Sequence, residues 1–297
     1  MKIAVSGGTG FIGGRLIRHL KNRNHEVLLI SRHPREEKDG VKTVTWDQMQ
    51  QSPSLLEGVD AIVNLAGESI NQRWNEEAKK RILDSRLTAT RRIAELVDRL
   101  KRKPAVVVNG SGMSIYGTSE TGDFDERSPK HLTDFLAEVV EQWEEAADEI
   151  RGTRVVKLRI SMVLDNKEGA LPPMMLPYKM GGGGRIASGR QWFSWIHIED
   201  MVRAIVFCLE NESVTGPVNA SAPYPVRNDD FGRALGKALH RPHWFPVPEF
   251  LLRALFGEMS VLMVQGQRVR PKALLDHRFF FQYDTIEKAL TDLLKKD

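Results

Sequence analysis

The chain offers little from which a cross-linked, membrane-spanning or metal-centred protein could be built. Its 297 residues include one cysteine, which excludes an internal disulfide and a cysteine-rich metal site. Cys208 stands in the apolar helical stretch AIVFCLE and reads as core packing rather than as a nucleophile. No run approaches the roughly 18 apolar residues that a membrane helix requires. The opening MKIAVSGG stops at glycines after a short apolar run, too short for the apolar segment and cleavage site of a signal peptide. The expected compartment is therefore cytoplasmic. An excess of one charge sign is also missing: 43 Lys and Arg stand against 39 Asp and Glu, a formal net of +4, with the two signs interspersed. Solvated helix faces account for such a distribution, so no nucleic-acid groove is expected, while anionic small molecules remain suitable partners. There is no internal repeat, and the only low-complexity tract is GGGG at 181–184.

What is present is the composition of a globular protein, 41% hydrophobic and 28% charged. Over the first two-thirds, short β-branched runs alternate with longer amphipathic segments. KIAVSG, HEVLLIS, VKTVTW, DAIVNLAG, AVVVNGSG and TRVVKLRI are apolar on both faces and bounded by turn residues, which predicts strands buried on both sides. Helical periodicity runs from Ile12 to Asn22, Asn75 to Lys101 and Leu132 to Glu149. Such alternation predicts a mostly parallel sheet with helices on both faces and ligands at the carboxyl ends of the strands. After about residue 220 the pattern breaks into short helical pieces separated by prolines, in SAPYPVRNDDF and HRPHWFPVPEF.

IAVSGGTGFIGGRL places Gly7, Gly10 and Gly13 directly after the first strand and at the mouth of the first helix. The first permits a tight turn, the second lets backbone N–H groups approach a pyrophosphate, and the third allows the helix to pack closely on the strand. The end of the second strand, LLISRHPR, offers Ser31 and Arg32 with no carboxylate until Glu36. An acidic residue there would suit a free ribose 2′-OH, whereas a guanidinium pairs with a 2′-phosphate. The expected cofactor is NADP(H), and no metal site is expected.

The loop Gly7-Gly8-Thr9-Gly10-Phe11-Ile12-Gly13, together with Asn64-Leu65-Ala66-Gly67 after the fourth strand, resembles the extended short-chain dehydrogenase/reductase superfamily. The segments SGRQWFSWIHIEDMVRAI, GPVNASAPYPV, FGEM and QRVRPK are similar to its sugar-nucleotide epimerase-like branch, which ends in a short C-terminal domain of unassigned role. The resemblance covers essentially the whole chain. It implies an α/β fold, a Rossmann-type doubly wound parallel sheet with a smaller C-terminal substrate-side lobe. The expected division is 1–220 for the NADP-binding epimerase-like domain, with substrate-lobe insertions from about 165, and 245–295 for the short C-terminal domain. The resemblance also implies that Leu65, Ala66 and Gly67 lie beside the adenine and its ribose, that Asp47 in Trp46-Asp47 is near the adenine, and that Ser85 and Arg86 of LDSRLTAT face the nicotinamide side. Thr9, Phe11 and Ile12 join the three glycines in the same loop. Many members pair helices across a two-fold axis, so a homodimer is compatible with the resemblance.

In the wider superfamily a Ser polarises the substrate, a Tyr transfers a proton, and a Lys four residues later lowers the phenol pKa, which otherwise lies near 10. This chain departs from that pattern. The serine position in SGMSIYG is Gly112, with Ser111 and Ser114 on either side, and the helix that should carry the pair offers Phe135 with Val139 or Leu136 with Val140. Ser111, Tyr116 and His197 are then the candidates for polarising a substrate or moving a proton, each also readable as packing, and Asp200 reads as the cap of a following helix. Ile160 and Ser161 stand where relatives often carry Pro and Gly. The expected function is an NADP(H)-dependent oxidoreductase or nucleotide-sugar epimerase-like enzyme acting on a small polar substrate; the alternative is a non-catalytic NADP(H)-sensing regulatory protein.

Overall fold

A computed structural model describes residues 1–37 and 39–295. The chain begins with β1 (Lys2–Ser6), α1 (Phe11–Asn22), β2 (Glu26–Ser31), β3 (Lys42–Thr45), α2 (Trp46–Gln51), β4 (Ala61–Asn64), α3 (Glu76–Arg99) and β5 (Val106–Gly112). It continues through β6 (Asp123–Phe124), α4 (Phe135–Asp148), β7 (Arg154–Ile160), β8 (Met162–Leu164), α5 (Leu171–Lys179), β9 (Trp192–Phe193), β10 (Trp195–His197), α6 (Ile198–Glu210) and β11 (Gly216–Ala220). The last part holds β12 (Val226–Arg227), α7 (Asn228–Leu239), α8 (Glu249–Phe256), α9 (Val261–Val264), β13 (Arg268–Val269), α10 (Lys272–Asp276) and α11 (Ile286–Leu293).

Seven strands form one parallel sheet in the order β11-β7-β5-β4-β1-β2-β3. The chain runs outward from β1 to β3, then returns to the other side of β1 with β4, so the strand order reverses between β1 and β4. At such a switch point the two crossovers leave on opposite faces and open a crevice beyond the carboxyl ends of the strands. The strand side chains divide between two cores. Ile3, Val5, Ala61 and Val63 pack with Leu16 and Leu20 of α1 and Ile205 of α6, while Ala4, Leu28, Ile62 and Val107 pack with Ile93 and Val97 of α3. Burial on both faces is the reason these strands read as continuous apolar runs. The fold is the doubly wound α/β sheet that the sequence implied.

The seventh strand had no apolar run to announce it. β11 reads Gly-Pro-Val-Asn-Ala and lies at the sheet edge, where a proline costs only a hydrogen bond that no neighbour requires. α4 begins at Phe135, later than the periodicity from Leu132 suggests, because Asp134 accepts from Ala137 N at 2.9 Å and fixes the first turn there. Asp200 is not a cap. It sits in the first turn of α6, and the capping acceptor is the His197 ring, which takes the Glu199 N–H at 3.1 Å. Asp200 instead accepts from Gln282 N at 3.0 Å and Tyr283 N at 2.8 Å and pairs with Arg203 at 2.7 Å, tying the C-terminal segment to α6. Further ties are the parallel pairing of β13 with β6 and the ion pair of Lys79 with Glu258 at 2.6 Å. Among the described residues, no helix is long and apolar enough to cross a membrane.

Polar side chains fasten the carboxyl ends of β1, β4 and β5 beneath the crevice. Asn64 accepts from Ser6 Oγ and from the Ala66 N–H, and its amide donates to Asn109 Oδ1 at 2.6 Å and Thr90 Oγ1 at 3.1 Å. Trp143 of α4 donates its indole N–H to the same Thr90 hydroxyl at 3.0 Å. All of these groups but the half-buried Ala66 are buried. Asn64→Leu keeps the number of side-chain heavy atoms but leaves the Ser6 hydroxyl and the Ala66 N–H without their acceptor, an unpaired buried group costing about 1–3 kcal/mol. Urea unfolding of this variant is expected to show a loss of at least that size for one group; a loss under about 0.5 kcal/mol would contradict the role given to the network.

Candidate functional site

The glycine loop closes the crevice floor through main-chain contact that no side chain could enter. Gly7 has φ +71°, and a Cβ there would lie 2.4 Å from the Leu65 carbonyl oxygen. A Cβ on Gly13 would lie 2.2 Å from the Gly7 carbonyl oxygen. The β1 turn, the β4 loop and the first turn of α1 thus touch backbone to backbone. Gly10 is the N-cap of α1 and brings no side-chain acceptor, and the first turn carries no acidic residue, while His19 and Lys21 occupy the last turn. The first-turn amides and the positive end of the helix dipole therefore face the crevice without an internal counter-charge, an arrangement that suits a bound phosphate oxygen. This cradle fits a dinucleotide diphosphate. Thr9 and Gly10 are exposed, Phe11 and Ile12 half-buried. The loop after β8 folds against this turn: Gly169 lies on the Phe11 ring and Asp165 pairs with Arg15 at 2.7 Å.

On the β2 side of the cradle, Arg32 is exposed and, among the described residues, forms no ion pair or hydrogen bond. Ser31 is buried and donates its hydroxyl to the His33 carbonyl, shaping the turn that presents Arg32. Arg35, which the sequence reading did not single out, is exposed on the same loop. Asp47 stands exposed in the first turn of α2, 3.9 Å from Arg92. On the other side, Leu65, Ala66 and Gly67 follow β4, with the Leu65 N–H donating to the Ser6 carbonyl at 3.1 Å. Ser85 holds the end of this loop by accepting from Glu68 N at 2.9 Å. Arg86 lies against Gly67, donates through Nη1 to the Glu68 and Ile82 carbonyls at 3.0 and 2.9 Å, and holds its guanidinium over the Trp143 ring, 5.1 Å from the ring centre. The structure thus gathers the glycine loop, Leu65 to Gly67, Ser85 and Arg86 along one edge, with Ser31, Arg32 and Asp47 flanking it.

The three candidates for proton chemistry are differently placed. Ser111 is buried and donates to Glu144 Oε1 at 2.7 Å. Glu144 in turn receives Arg159 through Nε at 2.7 Å and Nη2 at 2.8 Å, a bidentate pair almost closed to solvent. Arg159 Nη1 donates to the Tyr116 hydroxyl, which donates to Asn219 Oδ1, both at 2.8 Å. Burial pushes the Tyr116 phenol up to about 12 despite the adjacent guanidinium. His197 is 3% exposed, spends Nδ1 on the cap of α6, stacks on Tyr283 at 3.8 Å and lies 3.4 Å from Asp292; burial holds its pKa below the ordinary value. Ser111 and Tyr116 thus spend their hydroxyls inside a buried network, whereas His197 Nε2 is buried without a hydrogen-bond partner. The α4 positions without Tyr and Lys are packed: Phe135, Leu136 and Val139 form an apolar cluster with Trp74, Ile82, Met259, Val261 and Leu262, so the C-terminal segment covers that face.

Sequence reading missed Glu144, Arg159 and Asn219. The one signal was Arg159 itself, a charge inside a strand expected to be buried, which calls for a buried counter-charge. Ser161, where relatives often carry glycine, uses its hydroxyl to hold the Ala220 carbonyl at 2.8 Å.

Comparison with known proteins extends this geometry. The sequence profile described as "NAD dependent epimerase/dehydratase family" matches residues 3–220, and that of a domain of unknown function (DUF1731) matches residues 247–293. The chain is 43% identical over 298 residues to epimerase family protein YfhF of Bacillus subtilis, covering 99% of this chain and 98% of that one. Among solved structures, the human epimerase family protein SDR39U1 (isoform 2) with NADPH is similar at 38% identity and TM-score 0.93, covering 99% of both chains. A nucleoside-diphosphate sugar epimerase from Corynebacterium glutamicum is similar at 30% identity and TM-score 0.81, over 99% of this chain and 58% of that one.

The Glu144 carboxyl has a pH signature. Burial alone would raise its pKa, but the hydrogen bonds and charge of Arg159, with the Ser111 hydroxyl, outweigh this and hold it below the ordinary 4.5. A carboxyl depressed in the folded state stabilises above its unfolded pKa, and that contribution fades as pH falls through the folded value. The stability difference between the wild type and Glu144→Gln, read from urea unfolding, is expected to be constant above about pH 5 and to shrink in acid. An equal difference at pH 7 and pH 3 would contradict the pairing.

Proposed function

Because the chain belongs to the NAD dependent epimerase/dehydratase family, we propose that it binds NADP(H) at the switch point between β1 and β4 and acts as an oxidoreductase or epimerase-like enzyme on a small polar substrate. The observation that carries this reading is the backbone cradle of Gly7, Leu65 and Gly13 with the uncapped first turn of α1 above it. That the human SDR39U1 structure holds NADPH supports the choice of nucleotide.

In this reading the amides of residues 8–13 hold the diphosphate, and the exposed Arg32 guanidinium takes the 2′-phosphate. Asp47 lies toward the adenine, and Leu65, Ala66 and Gly67 line its ribose. Ser85 sets the β4 loop and Arg86 closes the nicotinamide side. When bound, the nicotinamide supplies or accepts a hydride. The apolar α4 face under Met259 and Leu262 keeps water from the β5 end of the crevice. Ser111 and Tyr116 act by holding Glu144 and Arg159 in place, and His197 by starting α6. The packed α4 face is also what favours the second reading, a protein that senses the nucleotide and signals through its C-terminal segment.

Turnover separates the two. Loss of absorbance at the reduced nicotinamide band, with NADPH and a panel of polar carbonyl compounds, is expected of the enzyme; saturable NADPH binding without oxidation across a wide panel would favour the sensor. Arg32→Ala is expected to weaken NADPH by about ten- to a hundredfold, the worth of a charge-assisted contact, while leaving NADH nearly unchanged by calorimetry. Equal losses for both nucleotides would remove the 2′-phosphate assignment.

A further inference from the structure

Arg159 is buried and Arg86 half-buried, yet among the described residues only Arg159 has a counter-ion. Arg159 meets Glu144 in a bidentate pair. Among the described residues, Arg86 meets no carboxylate at ion-pair distance, and of its nitrogens only Nη1 is engaged, by two backbone carbonyls. Its Nε and Nη2 have no acceptor in the described structure, and neither is among the side-chain atoms sealed from solvent. The guanidinium carbon lies over the Trp143 ring, 5.1 Å from its centre, and that ring in turn lies on Gly110 of β5 and leaves no room for a side chain there. Burial lowers the Arg86 pKa to about 10, with the Glu68 charge opposing only in part.

Other arginines show what a structural role looks like here. Arg154 also meets no carboxylate at ion-pair distance among the described residues, but it donates to three carbonyls, of Cys208, Leu209 and Val214, and so completes the C-terminal end of α6. Arg86 completes no helix end, and half of its donor fork is unspent. Its position is also specific. It touches Gly67 beyond β4, on the side of the cradle away from β2 and Arg32, where the strand order leads to β5. A half-buried cation held there without an acid leaves its free N–H edge to solvent, where an oxyanion entering the crevice meets it.

We propose that the free N–H edge of Arg86 is the anchor for an anionic oxygen group, phosphate or carboxylate, at the end of the crevice opposite Arg32. The inference rests on the nucleotide reading above, which puts the nicotinamide half of the cofactor and the substrate at this end. Two sources share this chemistry: the phosphate on the nicotinamide side of the cofactor, and a carboxylate or phosphate of the substrate. Nε and Nη2 offer two parallel N–H donors, so the anchor selects groups with two acceptor oxygens over a point charge.

The test compares wild type, Arg86→Met and Arg86→Lys by calorimetry with NADPH and with adenosine 2′,5′-bisphosphate, which lacks the nicotinamide half, and then titrates malonate and inorganic phosphate into NADP⁺-saturated protein. If the cofactor supplies the anion, Arg86→Met is expected to lose about tenfold or more on NADPH and nothing on the adenosine bisphosphate. If the substrate supplies it, both nucleotides bind as before and the response of the loaded protein to malonate or phosphate disappears. Arg86→Lys keeps the charge without the fork and is expected to show a smaller loss on the same ligand; it carries the test if Arg86→Met does not fold. Wild-type behaviour of a folded variant toward all four probes would overturn the proposal while leaving the nucleotide reading intact, and so would equal losses on NADPH and the adenosine bisphosphate. Failure of the wild-type chain to bind NADPH would overturn both.

Discussion

Three stretches of backbone meet where β1 turns into α1, at separations that exclude even a methyl group. The turn at Gly7 lies on the carbonyl of Leu65, and Gly13 lies on the carbonyl of Gly7. This contact fixes the angle at which the first helix leaves the sheet, and therefore where its uncapped amides point. The rest of the site follows from that angle. The loop after β4 is held against the turn, Asn64 is drawn beneath it to join three strand ends, and Ser85 pins the far end of the loop through the Glu68 amide.

The polar groups of the core serve this geometry. Two buried networks lie under the carboxyl ends of the sheet: one centred on Asn64 between β1, β4 and β5, the other on Glu144 and Arg159 between α4, β5 and β7. Both are well satisfied, which is what lets them stiffen a floor rather than weaken a core. A ligand above such a floor meets backbone amides and a few outward side chains. The face of α4, where relatives of this superfamily place a tyrosine and a lysine, carries apolar residues covered by the C-terminal segment. The chain thus combines a dinucleotide cradle with an apolar wall.

Much of this was legible in the sequence, for identifiable reasons. Six of the seven sheet strands are apolar on both faces because helices cover both faces, and the glycines at 7 and 13 occupy places that only a backbone can fill. β11 escaped notice because an edge strand tolerates Gly216 and Pro217. The cap of α6 was assigned to Asp200 on residue preference, whereas the His197 ring stands one position before the helix and Asp200 is spent on the backbone of Gln282 and Tyr283. Ser111 and Tyr116 were chosen for their chemistry and their place after β5. Nothing local to them says that Glu144, 33 residues along the chain from Ser111, and Asn219, 103 residues from Tyr116, take their hydroxyls. Long-range pairing of this kind is visible in a sequence only as a charge where a buried strand should have none, as at Arg159.

The central claim is that main-chain amides at the start of α1 grip a nucleotide diphosphate. Hydrogen–deuterium exchange with and without saturating NADPH reads those amides directly. The account expects slowed exchange at residues 8–14, in the loop after β2 and in the segment after β4, with α11 unaffected. Unchanged exchange across residues 8–14 in protein shown to be saturated with NADPH would contradict it.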